Sequence, residues 1–222
     1  MERTENNNNS NRLSDGLIRQ NIVLMSGIAI APVAVVATNF MNALALTSGF
    51  TVIAFLSVFA CYFIPRKLSY TIRVIIYALI AGASVIPAYL MVGYFYGGEM
   101  LETLGVYLPI LAVNPLILTK TETRFRLRKP HLMLLELSGY VTGFNVICMG
   151  VGIIRDILTN RQIGSLPVDL GFEIPAVNAT FGGLIMVGIL GGIFRWQYNQ
   201  AKLRKIAKLE KEIEMQKLLE NL

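Results

Sequence analysis

The sequence has 222 residues, of which 54% are hydrophobic and only 15% charged, whereas soluble domains carry about 25% charged residues. That composition excludes a water-soluble globular domain and describes a polytopic membrane protein. The net charge of +6 raises nucleic acid as a partner, but basic residues in membrane proteins gather in loops facing the cytoplasm, and their placement here follows that rule.

Residues 1–20 open on M-E-R-T-E-N-N-N-N-S-N, which lacks the compact basic start and small-residue cleavage site of a signal peptide. A disordered cytoplasmic tail is expected. A run of about 20 apolar residues crosses roughly 30 Å of hydrocarbon. Six such runs follow, at 21–43, 47–65, 71–94, 101–119, 132–154 and 175–195. The first contains A-I-A-P-V-A-V-V-A-T-N, with Pro32, Thr38 and Asn39 in an otherwise apolar stretch. The fourth contains L-P-I-L-A-V-N-P-L-I-L-T, interrupted by Pro109, Asn114 and Pro115. Proline removes a backbone donor and clashes with the preceding turn, so both segments are expected to break. Opened backbone at membrane depth is tolerated only where protein or water covers it. Two interrupted segments at corresponding places in two halves point to a site at the interface between repeats.

Orientation comes from the basic residues. Of the 20 Lys and Arg, eighteen fall in the N-terminal tail, the second and fourth loops and the C-terminal tail, leaving Arg155 and Arg161 for the other side. Both termini are therefore expected in the cytoplasm of a cell whose inner (plasma) membrane holds the protein. With three spans per half, the halves 21–94 and 101–195 enter from opposite sides. The expected fold is an all-α membrane protein of six transmembrane helices in two inverted three-helix halves, the first and fourth broken. If the first enters near Asn21, Ala31 lies about 15 Å deep. Residues 196–222 should form a cytoplasmic amphipathic helix, with Leu203, Ile206, Leu209 and Ile213 at helical spacing. Its basic first half suits anionic headgroups, and a short coiled coil is the alternative. The loop 159–174, with Gly164, Pro167 and Gly171 as turn formers, is either a lid or partner contact or a passive connection.

No nucleophile elbow, phosphate-binding glycine loop or His–Cys cluster appears, and Cys61 and Cys148 fit neither a metal-ligand spacing nor a disulfide framework. His131, at a loop-to-helix junction, reads as an interfacial residue. Glu136 falls about one turn inside the fifth segment. It is either part of an ion path, as buried ionisable groups in spans often are, or a headgroup-level residue paired with Arg128 or Lys129. Asn39, Asn42, Asn114, Asn145 and Asn178 either bond between helices or, for Asn39 and Asn114 with Glu136, line that path.

The stretches D-G-L-I-R-Q-N, A-P-V-A-V-V-A-T-N-F-M-N-A-L-A-L, L-G-V-Y-L-P-I-L-A-V-N-P-L-I-L and G-I-I-R-D-I-L, in that order and spacing, resemble the D/E-type integral membrane subunits of the Rnf electron-transport complex and the sodium-pumping NADH:quinone oxidoreductase, Nqr. The resemblance spans about residues 16–210. It implies six helices in inverted halves, a place in an ion-translocating electron-transport complex, and a sister subunit of opposite topology as partner. In that family two cysteines, one in each broken helix, hold a two-iron iron-sulfur cluster shared with the sister. Here the positions are Ala31 and Pro115, so the expectation is a chain with no cluster, cofactor or metal of its own. A stand-alone small-solute or ion carrier, or a membrane scaffold, on the same fold is the alternative.

Overall fold

The computed structural model describes residues 21–220 apart from 22, 26, 28, 66, 128, 169 and 170; the expected tail, 1–20, and Arg128 lie outside the described residues. The elements are nine α-helices among the described residues, α1 (Ile30–Val36), α2 (Phe40–Tyr62), α3 (Tyr70–Ala83), α4 (Val85–Tyr96), α5 (Gly98–Leu104), α6 (Tyr107–Ala112), α7 (Pro115–Thr123), α8 (Pro130–Asn160) and α9 (Thr180–Glu220), with a hairpin of β1 (Gln162–Ile163) and β2 (Leu166–Pro167). Two short 3-10 turns, Phe125–Leu127 and Pro175–Asn178, precede α8 and α9.

Three helical runs are long and apolar enough to cross a bilayer: Phe40–Tyr62, Tyr70–Tyr96 and Pro130–Asn160. A fourth is added if Gly98–Leu104 and Tyr107–Thr123, bent by 62°, count as one broken span. The 23 residues of α2 rise about 35 Å, enough for the hydrocarbon core. This is a multi-pass membrane protein.

The first and sixth apolar runs differ from their expected form. In the first, α1 ends at Val36 and the chain is extended at Asn39, so the last residues of the run already belong to α2. Asn39 accepts a hydrogen bond from the Asn42 backbone N–H at 2.8 Å, the geometry of an N-cap, and so starts the next helix. Pro32 does not break α1, because it stands in the first turn, where no intrahelical donor is missed. The sixth run merges with the expected cytoplasmic helix into one 41-residue element. Its apolar part, Phe181–Phe194, stops at Arg195.

The fourth run is cut twice. Gly105, at φ 45°, separates α5 from α6, and Tyr89 of α4 donates to its carbonyl. Pro109 again stands in the first turn of its helix, while Val113 and Asn114 separate α6 from α7. The two broken segments thus share a plan: a short helix with proline in its first turn, a break, and an asparagine immediately before the next helix.

The core lies between α2 and α8, which pack along their length around Leu46, Phe50, Ile53 and Phe144. The Phe50 and Phe144 rings sit 4.4 Å apart. Asn145 donates to Thr51 at 3.0 Å across the same interface, a bond between helices. Gly152 permits the closest approach, since a Cβ there would lie 2.8 Å from the Asn39 carbonyl oxygen and 2.5 Å from the Ala43 Cβ.

Candidate functional site

Interrupting a helix inside a membrane leaves carbonyl groups that need donors. In the first segment two arginines from distant parts of the chain supply them. Met25 N–H bonds to the Asn21 carbonyl and Gly27 N–H to that of Val23, forming a turn before α1. Arg195 of α9 donates to the carbonyls of Leu24 (2.9 Å) and Met25 (2.8 Å). Asn21 fixes the turn from the other end, accepting from Val23 and Leu24 N–H and donating to Gly143 of α8.

Arg155 does the same for α1. Its side chain is fully buried (0% exposed). Its Nη1 donates to the Ala34 and Ala37 carbonyls at 2.7 and 3.1 Å, Nε to Val177 at 3.1 Å, and Nη2 to Asn178 and Ala179 at 2.8 and 3.4 Å. A guanidinium has five N–H donors, and all five are used on backbone carbonyls. One side chain of α8 therefore ties the end of α1 to the opened backbone before α9. Gly183 completes the contact, because a Cβ there would clash with the Ala34 carbonyl oxygen and fall 2.9 Å from Arg155 Nη1.

Asp156, also buried, faces the opposite need. Its Oδ2 accepts from Phe40 N–H (3.3 Å) at the start of α2 and from Gly164 N–H (3.0 Å) in the hairpin turn, while Oδ1 accepts from Asn160 Nδ2 (2.8 Å). A carboxylate there complements the positive end of α2. It also draws the hairpin turn at Gly164 onto Phe40, and an Arg161–Glu173 ion pair at 3.1 Å links the residues on either side of the hairpin.

Arg155 and Asp156 are therefore not the outer-loop charges that the distribution of charge along the sequence suggests. They are buried parts of α8, which continues to Asn160. The sequence carries a signal for this, since Ile157 and Leu158 continue the apolar pattern past them. What the charges bind is not visible there, because their acceptors and donors include backbone groups more than 100 residues away at Ala34, Ala37 and Phe40.

At the other end of α8, Glu136 is 1% exposed and pairs with Arg124. It is buried within the protein, and its partner is not the Lys129 expected from sequence; Arg128 lies outside the described residues. Arg124 also donates to the Tyr140 hydroxyl at 3.5 Å, and Lys120 stands over the Tyr140 ring at 5.5 Å. Glu122, nearby on α7, accepts from Arg73 and, at 2.7 Å, from the Tyr77 hydroxyl. The half-helix α7 is thereby held on one side to α3, while the turn that follows it is held to α8. His131 is exposed in the first turn of α8, as an interfacial residue would be.

Between these two polar layers the breaks meet. A cavity of about 460 Å³ is lined by Ala29, Ala31 and Pro32 from the first segment, Ile110 and Asn114 from the fourth, and Leu184 of α9. Asn114 is buried and Ala31 is exposed to this space. Asn39, which the sequence grouped with them, caps α2 and does not line it.

A model of the Rnf-Nqr subunit family of membrane proteins matches residues 10–195. The chain belongs to the Rnf-Nqr subunit family. Among curated relatives, the E-type subunit of the ion-translocating oxidoreductase complex of Sodalis glossinidius (strain morsitans) is 27% identical over 151 residues, 68% of this chain and 65% of that protein. The subunits of the same name from Yersinia pestis (strain Pestoides F) and Yersinia pseudotuberculosis (serotype O:1b, strain IP 31758) are each 27% identical over 155 residues, 69% of this chain and 65% of theirs. The match thus spans less than two thirds of these relatives' own length.

The donor set at the crossing of this Rnf-Nqr family member does not fit an iron-sulfur cluster. Thiolates are the usual ligands. The cavity wall offers a methyl group at Ala31, hydrocarbon at its neighbours and one amide at Asn114. Cys61 and Cys148 are buried elsewhere, in α2 and α8, and no group of three or more His, Cys, Asp or Glu that could hold a metal occurs among the described residues.

Proposed function

We propose that this chain is an integral membrane subunit of an Rnf/Nqr-like electron-transport complex that moves ions, and that it contributes helices and an ion path without a cluster of its own. The family match over residues 10–195 carries this reading. In it, the chain spans the inner membrane six times in two inverted halves: the segments around α1 and Phe181–Phe194 complete the three or four spans, and both termini lie in the cytoplasm. The shared plan of the two broken segments supports the repeat, and the distribution of basic residues supports the orientation. A sister subunit of opposite topology packs against the crossing.

The proposed path runs from Glu136 toward Asn114 and the cavity at the breaks. A buried carboxylate at membrane depth is costly and is characteristic of ion pathways. Asn39 stands at the outer limit of the path as the cap of α2.

The test is purification of the tagged chain from its own cells under anaerobic conditions. Flavin- and cluster-bearing membrane subunits should copurify. The chain alone, and the chain with a sister subunit, should contain neither stoichiometric iron nor a reduced-state paramagnetic signal dependent on the sister's cysteines. Transport by the reconstituted chain alone would instead support a stand-alone carrier.

A further inference from the structure

Apolar residues of α8 and α9, with Leu24, Ala176 and Val177, line a groove between the two helices. Two chambers of about 430 and 280 Å³ lie side by side and share Ile154 and Leu190 as walls. The larger reaches Phe181 and Ala176. The smaller runs past Gly150 and Phe194 to Gln197. Its wall on α9, from Leu190 to Gln197, is about 10 Å long, within one leaflet of a 30 Å hydrocarbon core. Ile185, Ile189 and Ile193 are 58%, 57% and 49% exposed beside it.

The chemistry changes at the mouth. Gly182, Met186, Leu190, Phe194 and Gln197 follow one face of α9 at helical spacing, and Ala201 and Arg204 continue the same stripe. Long side chains on a helix lean toward its N-terminus, so Arg204 reaches back toward the groove. Arg204 is exposed, and from Arg195 to Lys208 the sequence has five basic residues and no acidic one. Hydrocarbon walls within one leaflet, ending in fixed positive charge at the interface, match a molecule with an acyl chain and an anionic headgroup.

We propose that the α8–α9 groove is a binding site for an anionic phospholipid, with an acyl chain against Gly150 and Leu190 and its phosphate facing Arg204. The site rests on α9 lying in the membrane, as the six-span reading has it. It does not depend on which side the C-terminus faces.

The protein has one tryptophan, Trp196, which is 64% exposed and adjacent to the groove residue Gln197. The full chain is reconstituted in phosphatidylcholine vesicles with increasing amounts of phosphatidylglycerol brominated on its acyl chains, and Trp196 fluorescence is followed. Quenching should saturate at low mole fraction and be stronger than with brominated phosphatidylcholine at the same fraction. Arg204→Gln should lower the preference about fivefold, the contribution of one basic residue at an anionic surface. Gly150→Leu fills the chamber where a new Cβ meets nothing within 4 Å, and should remove the saturable component while the basic residues remain. Equal quenching by the two lipids, or a preference unchanged by Arg204→Gln, would overturn the proposal. So would Gly150→Cys chains that cross-link to a second copy in high yield, which would assign the groove to protein. Membrane insertion of α9 is checked separately by a reporter fused after residue 222; without insertion, bromine at any depth leaves Trp196 unquenched.

Discussion

Arg155 holds its place through acceptors alone, five carbonyl oxygens contributed by the end of α1 and the backbone before α9. Replacing it by methionine keeps much of the volume and leaves those oxygens without donors. Each orphaned buried group costs about 1–3 kcal/mol. Arg155→Met should destabilise the protein by at least about 3 kcal/mol, a fall of about 6–12 °C in Tm for a chain of this size. Thermal unfolding in mild detergent measures it, with Arg155→Lys, which keeps the charge but fewer donors, falling between. An unchanged Tm would show that the carbonyls have other partners. Glu136 presents the converse case, a buried acid with an arginine beside it. If it serves an ion path, Glu136→Gln should abolish transport or transport-dependent growth while expression and assembly stay normal. Full activity of the Gln variant would leave the Arg124 pair as its whole role.

Helices in this protein end where polar partners wait for them. The α1–α2 break depends on Asn39, whose side chain caps α2, and on Asp156, which accepts from the next residue. Asn39→Ala removes the cap and should cost about 1 kcal/mol, a drop of about 2–4 °C in Tm. A loss near zero would mean Asp156 holds the helix start alone. The breaks themselves are legible as Pro–Asn interruptions in otherwise apolar runs. Their positions are not, because Pro32 and Pro109 are expected to end helices and instead stand in first turns. A proline in the first turn misses no hydrogen bond, so the actual stops fall at Ala37–Asn39, Gly105 and Val113–Asn114. Periodicity finds the apolar α8 and the basic α9 tail, but does not show that α9 runs without a break from Thr180 to Glu220.

At the scale of the molecule, the site joins parts of the chain that composition keeps apart. A charge count sees only how basic residues are distributed along the sequence, where eighteen of the 20 Lys and Arg fall in the segments expected to face the cytoplasm. Three that it assigns to aqueous regions have structural work: Arg155 is buried, Arg195 holds the Leu24 and Met25 carbonyls, and Arg73 pairs with Glu122. Moving Arg155 from the outer loop to the interior strengthens the asymmetry, so the expected orientation is unchanged. Reporter fusions at residues 68, 125 and 222 should read cytoplasmic, and those at 98 and 165 external. A reversed result at any interior loop would break the inverted arrangement.

The close seat of Gly183 against the Ala34 carbonyl makes it a fulcrum. From there α9 extends without interruption to Glu220, an arm of about 55 Å. A tilt of about 5° at the fulcrum sweeps the far tip through about 5 Å, at the 1.5 Å rise per residue that sets the arm's length. Small rearrangements where the two broken segments meet are therefore magnified along one stiff rod.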